Sequence, residues 1–165
     1  MTEIQRQITE CVESAINDFN RNEQYLISRD LSERCICAKF SSYLERTIAG
    51  TRFSEYTVDV EYNRGSRGNE YAAKCLDGRN IVVDLIVHKR GYDTIRGFNN
   101  LFCIEMKKGY KPYDISSDKN RLRIMTDSTY GFGYKAGFMV LAMADKASDE
   151  YKLIIESKYY KEEID

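Results

Sequence analysis

The chain has 165 residues, 42% hydrophobic and 31% charged, which suits one folded domain and excludes a disordered tail or a collagen-like repeat. Lys and Arg total 25 against 26 Asp and Glu, a formal charge of −1, so no overall positive field draws in a polyanion, although a local basic groove remains open. A single Pro excludes a proline-rich linker.

In chain order, residues Thr2 to Asn20 carry Ile4, Ile8, Cys11, Ala15 and Phe19 on one stripe, which predicts an amphipathic helix. A second helix starts near Ser28 or Ser32 and runs to Ala49, with Leu31, Ile36, Phe40, Tyr43, Leu44 and Ile48 as its apolar face and Gly50 at its end. The period then changes to two. Tyr56, Val58, Val60 and Tyr62 alternate with polar residues as a strand, and Asn63 to Asn69 reads as a turn or loop. Ile81 to His88 and Leu101 to Lys107 are further strands, joined by a polar connection over Lys89 to Asn99. Tyr113 to Asp127 reads as a helix with Ile115, Leu122 and Met125 inward, followed by a loop over Thr129 to Gly133. Ala136 to Ala144 is nearly all apolar, as in a strand buried on both faces, with Gly137 allowing close backbone approach. Tyr151 to Lys158 is a last strand. The expectation is an α/β domain: a mixed central sheet of about four to five strands flanked by helices, with an extra N-terminal helix. Its parts are residues 1–27 as a helical extension, 28–144 as the core and 145–165 as a C-terminal strand and tail.

The five cysteines are odd in number and mostly sit in apolar stretches, which suits reduced thiols in a cytoplasmic protein. Cys35 and Cys37 lack the second Cys/His pair that a zinc site needs. The N-terminus lacks the apolar run of a signal peptide, and no stretch is long enough to span a membrane.

Charge stands where apolar residues belong. Asp84 lies within Val82 to Val87, and Glu105 and Lys107 close the strand Leu101 to Lys107, sharing one of its faces. If the two strands are neighbours, Asp84 comes beside Glu105, and a divalent cation is the natural compensation for two close carboxylates. Mg²⁺ favours one or two carboxylates, retained waters and a phosphate oxygen. A lysine beside such a site can position or activate a metal-bound water.

Val83-Asp84 followed by Glu105-Met106-Lys107, in this element order, resembles the PD-(D/E)XK nuclease superfamily, the restriction-endonuclease-like fold. Val83 stands where that pattern often has Pro. The segments Ser32-Glu33-Arg34, Tyr43-Leu44-Glu45 and Val83 to Gly91 look like those of small uncharacterised bacterial proteins of this fold. The resemblance implies a nuclease using Mg²⁺ or Mn²⁺, with Asp84, Glu105 and the Met106 carbonyl as metal ligands and Lys107 near the attacking water. A helix carboxylate often joins such a site. Glu33 and Glu45 both qualify, and the Ser-Glu-Arg element favours Glu33. The implied substrate is DNA or RNA, with DNA preferred, in bacterial defence or DNA processing. The alternative is an inactive nuclease-fold binding subunit of a larger assembly, and the resemblance leaves a homodimer or a protein partner open.

Candidate nucleic-acid contacts are Arg64 and Arg67 in the Gly-bearing loop, His88 and Arg90 after the second strand, and Lys108 and Lys119. The last two belong to a basic segment, Lys107 to Arg123, that also holds Lys111 and Arg121 and is diluted by Asp114 and Asp118. A solvated helix face is the plainer meaning of such a run. Tyr110, Tyr113, Tyr130, Phe132 and Tyr134 flank it and could stack on bases, or pack loops. Glu61 and Asn63 could reach the metal site through water. A metal-free hydrolase fits poorly, since there is one His and no Gly-x-Ser-x-Gly element.

Overall fold

The computed structural model describes residues 1–29, 31–67, 70–73, 75–76, 79–90, 99–109, 112–130, 132–145 and 150–162, with the backbone alone described at 64–67, 70–73, 75–76, 79, 112–114 and 145. The N-terminal stripe forms helix α1 (Glu3–Asn22). Thr2 caps it, its hydroxyl accepting from the Gln5 N–H while the Gln5 side chain accepts from the Thr2 N–H. A short helix α2 (Gln24–Ser28) follows, where the second helix had one expected start. The long helix α3 (Glu33–Ala49) begins at the other, with Ser32 as N-cap accepting from the Cys35 N–H.

Five strands form one open mixed sheet: β1 (Thr57–Val60), β6 (Leu85–His88), β7 (Asn100–Lys108), β8 (Ala136–Asp145) and β9 (Glu150–Tyr160), in that spatial order. Only β7 and β8 run parallel, and the crossover between them carries helix α4 (Pro112–Thr126) and a 3₁₀ turn at Ser128–Tyr130. Side-chain alternation divides the core in two. Leu85, Val87, Phe102, Ile104, Met106, Phe138, Val140 and Ala142 pack towards α1 and α3. Ile86, Cys103, Met139 and Leu141 pack towards Ile115, Leu122 and Met125 of α4. The strand β8 is thus buried on both faces, as its apolar run predicts.

Two expectations need correction. Residues Arg64–Arg67 are not a plain loop: they form strand β2, paired antiparallel with β3 (Glu70–Ala73). A second small hairpin, β4 (Cys75–Leu76) with β5 (Arg79–Asn80), follows before the chain returns to the sheet. Gly65, Ser66 and the flanking arginines give no apolar alternation by which to read the pairing. The second sheet strand is also shorter than expected. It starts at Leu85, so Asp84 stands just before it and not in its interior, while Ile81 and Val83 are buried without belonging to a strand. The connection over 91–98, with Tyr110 and Lys111, lies outside the described residues.

The long edge strand β9 is closed to further pairing at its middle. Asn20 of α1 donates to the Leu153 carbonyl and accepts from the Leu153 N–H, at 2.9 and 2.7 Å, in place of a neighbouring strand. Among the described residues no helix is long and apolar enough to cross a membrane.

Gly137 meets the expectation of close approach. A Cβ there would stand 3.3 Å from both Leu122 Cδ2 and Thr126 Cγ2, in a helix–sheet contact where those two side chains are buried. Gly137→Val is expected to lower stability by about 2 kcal/mol by pushing α4 off the sheet, read as a lower urea midpoint with unchanged slope.

Candidate metal and phosphate site

The register of three strands converges on a single row. Val60 pairs with Leu85, and Leu85 pairs with Ile104, so one step further places Glu61, Asp84 and Glu105 abreast. Glu61 ends β1 with φ of 52°, in the left-handed region, and its N–H donates to the Asp84 carbonyl at 2.9 Å. Arg34 of α3 holds its carboxylate through both Nε and Nη2. A non-glycine residue in that region costs of order 1 kcal/mol, and here the strain accompanies the turn by which the chain leaves the sheet for the hairpins.

Asp84 and Glu105 meet as a pair. Asp84 Oδ2 accepts from the Met106 N–H at 2.8 Å, beyond the point where β6 stops supplying ladder partners. Within a strand the N–H and C=O of one residue point the same way, so the Met106 carbonyl also faces the Asp84 side. Glu105 is 1% exposed, and burial pushes its carboxyl up to about 8, helped by the neighbouring Asp84 charge. Burial raises Asp84 too, while its hydrogen bonds to Met106 and Glu105 oppose the rise. Both carboxyls thus hold protons more tightly than usual, and they titrate as a coupled pair.

Beyond the pair runs a line of alternating charge. Arg121 Nε donates to Glu105 Oε1 at 2.6 Å, and Arg121 Nη2 pairs with Asp118 Oδ1. Asp118 Oδ2, buried and without a hydrogen bond of its own, lies 3.2 Å from Lys107 Nζ. Lys107 Nζ also donates to Glu33 Oε1 at 3.2 Å, and Glu33 Oε2 accepts from the Lys108 N–H at 3.1 Å. Burial alone would lower Lys107, but Asp118 and Glu33 outweigh it and hold the ammonium above the ordinary lysine value. Glu33, Asp118, Glu105 and Asp84 against Lys107 and Arg121 sum to −2 when all are ionised, the charge that one divalent cation neutralises. Among the described residues no three His, Cys, Asp or Glu side chains converge tightly enough to cage a metal alone. Two carboxylates and a carbonyl suit Mg²⁺, which keeps several waters and uses substrate oxygens.

The residues expected at the site divide clearly. Asp84, Glu105, Met106, Lys107 and Glu33 come together, and Glu45 is exposed further along α3. Lys108 adjoins the site, its Nζ donating to the Leu31 carbonyl at 2.9 Å. Lys119 instead pairs with Glu156 of β9 at 2.5 Å. His88 is at the far end of β6, about 13 Å from Asp84 at strand rise. It is 3% exposed, bonded to Asp59 at 2.7 Å and packed on Tyr62, and Arg90 holds the same Asp59. His88 and Arg90 thus tie β1 to β6 rather than line the site. The side chains of Arg64 and Arg67 lie outside the described residues. Cys35 is exposed while Cys37 is buried, so the two do not converge on a zinc ion. Cys37 Sγ approaches the Asp84 carbonyl at 3.7 Å, and burial followed by the surrounding carboxylates pushes its thiol well above its ordinary range.

Asp118 and Arg121 are the site residues not anticipated from the sequence. The signal was present: Asp118 falls on the inward stripe Ile115, Asp118, Leu122, Met125 of α4, where a charge requires a partner. No family model matches the chain, and neither does a curated protein or a solved structure.

The pair makes stability depend on pH with a definite sign. A carboxyl that titrates near 8 when folded and at its usual 4.5 when unfolded leaves the folded state holding the extra proton. Stability then falls as pH rises between those values, by about 1 kcal/mol per unit at most. Without divalent ions the thermal midpoint is expected to fall from pH 6 to 8.5, and Glu105→Gln is expected to flatten that slope, both followed by circular dichroism.

Proposed function

We propose that the protein is a metal-dependent nuclease of the PD-(D/E)XK type, hydrolysing phosphodiester bonds of DNA or RNA. The observation that carries this reading is the Asp84–Glu105 pair, with Glu105 buried, Asp84 half-buried on the Met106 N–H, and a cationic Lys107 two residues beyond Glu105. The mixed sheet, with helices before its first strand and between its parallel strands, supports the same assignment.

Asp84, Glu105 and the Met106 carbonyl would hold Mg²⁺ or Mn²⁺, which when bound lowers the pKa of a coordinated water and polarises a phosphoryl oxygen. Lys107 has a narrower part than a proton acceptor. Held between Glu33 and Asp118, it stays an ammonium and offers charge and donors to the attacked phosphate. Glu33 fixes that lysine and the end of β7 together, through Oε1 to Lys107 and Oε2 to the Lys108 N–H. DNA is the preferred polymer, and Lys108 is the described cation best placed to meet its backbone.

Cleavage of single- and double-stranded DNA and of RNA, assayed with Mg²⁺ or Mn²⁺, tests the reading. Asp84→Ala and Lys107→Ala are each expected to reduce the rate by at least about a hundredfold. Activity that survives both substitutions, or no cleavage of any polymer with either ion, overturns it. Nucleic-acid binding indifferent to divalent ions would then favour the interaction-subunit alternative.

A further inference from the structure

Arg121 does something that the carboxylate pair alone does not require. Its Nε stands 2.6 Å from Glu105 Oε1, on the oxygen set that a cation would use, while its Nη2 keeps a second anchor on Asp118. The arginine side chain is 32% exposed although Glu105 is 1% exposed, so one end of the contact is sealed and the other opens to solvent. A guanidinium and a divalent cation repel each other at such range, and in a poorly hydrated site the repulsion is large. Both cannot bind Glu105 at full strength.

We infer that Arg121 is an exchangeable counter-ion: it occupies Glu105 in the metal-free protein, leaves it when a divalent cation enters, and then binds a substrate phosphate while Asp118 retains its anchor. This rests on the nuclease reading and adds a coupling to it. The cation frees the arginine, and the arginine recruits the phosphate beside the cation. By linkage the phosphate in turn strengthens cation binding. Arginine suits the part, since its planar fork serves carboxylate and phosphate alike.

Two measurements on the intact chain test it. The first follows the Arg121 Nε–H by NMR during Mg²⁺ titration, with Arg121→Lys for assignment and the Met106 amide, bonded to Asp84, as the reporter of metal entry. The Arg121 signal is expected to be shifted and protected without Mg²⁺, and to lose both properties in step with the Met106 shift. A Met106 shift with Arg121 unchanged overturns the exchange and leaves the metal site standing. No shift of either up to high Mg²⁺ overturns the metal site itself. The second compares binding of a short oligonucleotide by wild type, Arg121→Gln and Arg121→Lys in Ca²⁺ and in chelator. Arg121→Gln is expected to weaken binding about tenfold in Ca²⁺, the worth of a hydrogen bond to a charged group, and to change it little in chelator, with Arg121→Lys between. Equal loss in both conditions, or no loss in Ca²⁺, overturns the proposal.

Discussion

The desolvation of Glu105 is the constraint around which the site is built. A carboxylate at 1% exposure cannot remain charged without nearby compensation, and Asp84 beside it makes the need greater. Two forms of compensation are in place: the Arg121 guanidinium on Glu105 and the Met106 N–H on Asp84. Each is weaker than a divalent cation would be, because each neutralises one charge or less. The surrounding fold keeps Glu105 dry: it shares its face of β7 with Cys103, beside Ile86 and Met139 on the α4 side of the sheet, and β8 pairs along the next edge.

That constraint explains why the site needs elements from both faces of the sheet. Helix α3 lies on one side and brings Glu33 in its first turn, where the positive end of the helix favours an acid. Helix α4 lies on the other side and brings Asp118 and Arg121. Lys107, near the end of β7, reaches a carboxylate from each helix and so joins the two layers. Loss of Asp118 would therefore disturb more than one ion pair, because its two oxygens serve different cations. Partners joined in one network are not expected to behave additively.

Much of this was legible in the sequence, for identifiable reasons. Asp84, Glu105 and Lys107 stood out because they interrupt apolar strand segments, and Glu33 could be preferred over Glu45 from its Ser-Glu-Arg context. The five sheet strands and three long helices follow from periods of 2 and 3.6 and from the Ser32 and Gly50 boundaries. The departures have separate causes. Asp118 read as a dilution of a basic run, though it sits at an inward position of α4. His88, a candidate nucleic-acid contact from the sequence, is instead tied to Asp59 across β1, a cross-strand pairing that no local pattern shows. The β2–β3 ribbon reads as a loop because Arg64 to Arg67 carries two polar cations around Gly65 and Ser66 and shows no apolar alternation.

The near-neutral charge of the chain acquires a physical meaning from these pairings. Among the described residues, several cations that the sequence offers for phosphate are paired with carboxylates: Lys107 with Glu33 and Asp118, Arg121 with Glu105, Lys119 with Glu156, Arg90 with Asp59. A polyanion approaching the site meets paired charge rather than a positive field, and the acidic pair adds repulsion. A divalent cation held at Asp84 and Glu105 would offset the −2 that this network carries when all its groups are ionised, and attraction for phosphate would then depend on the metal.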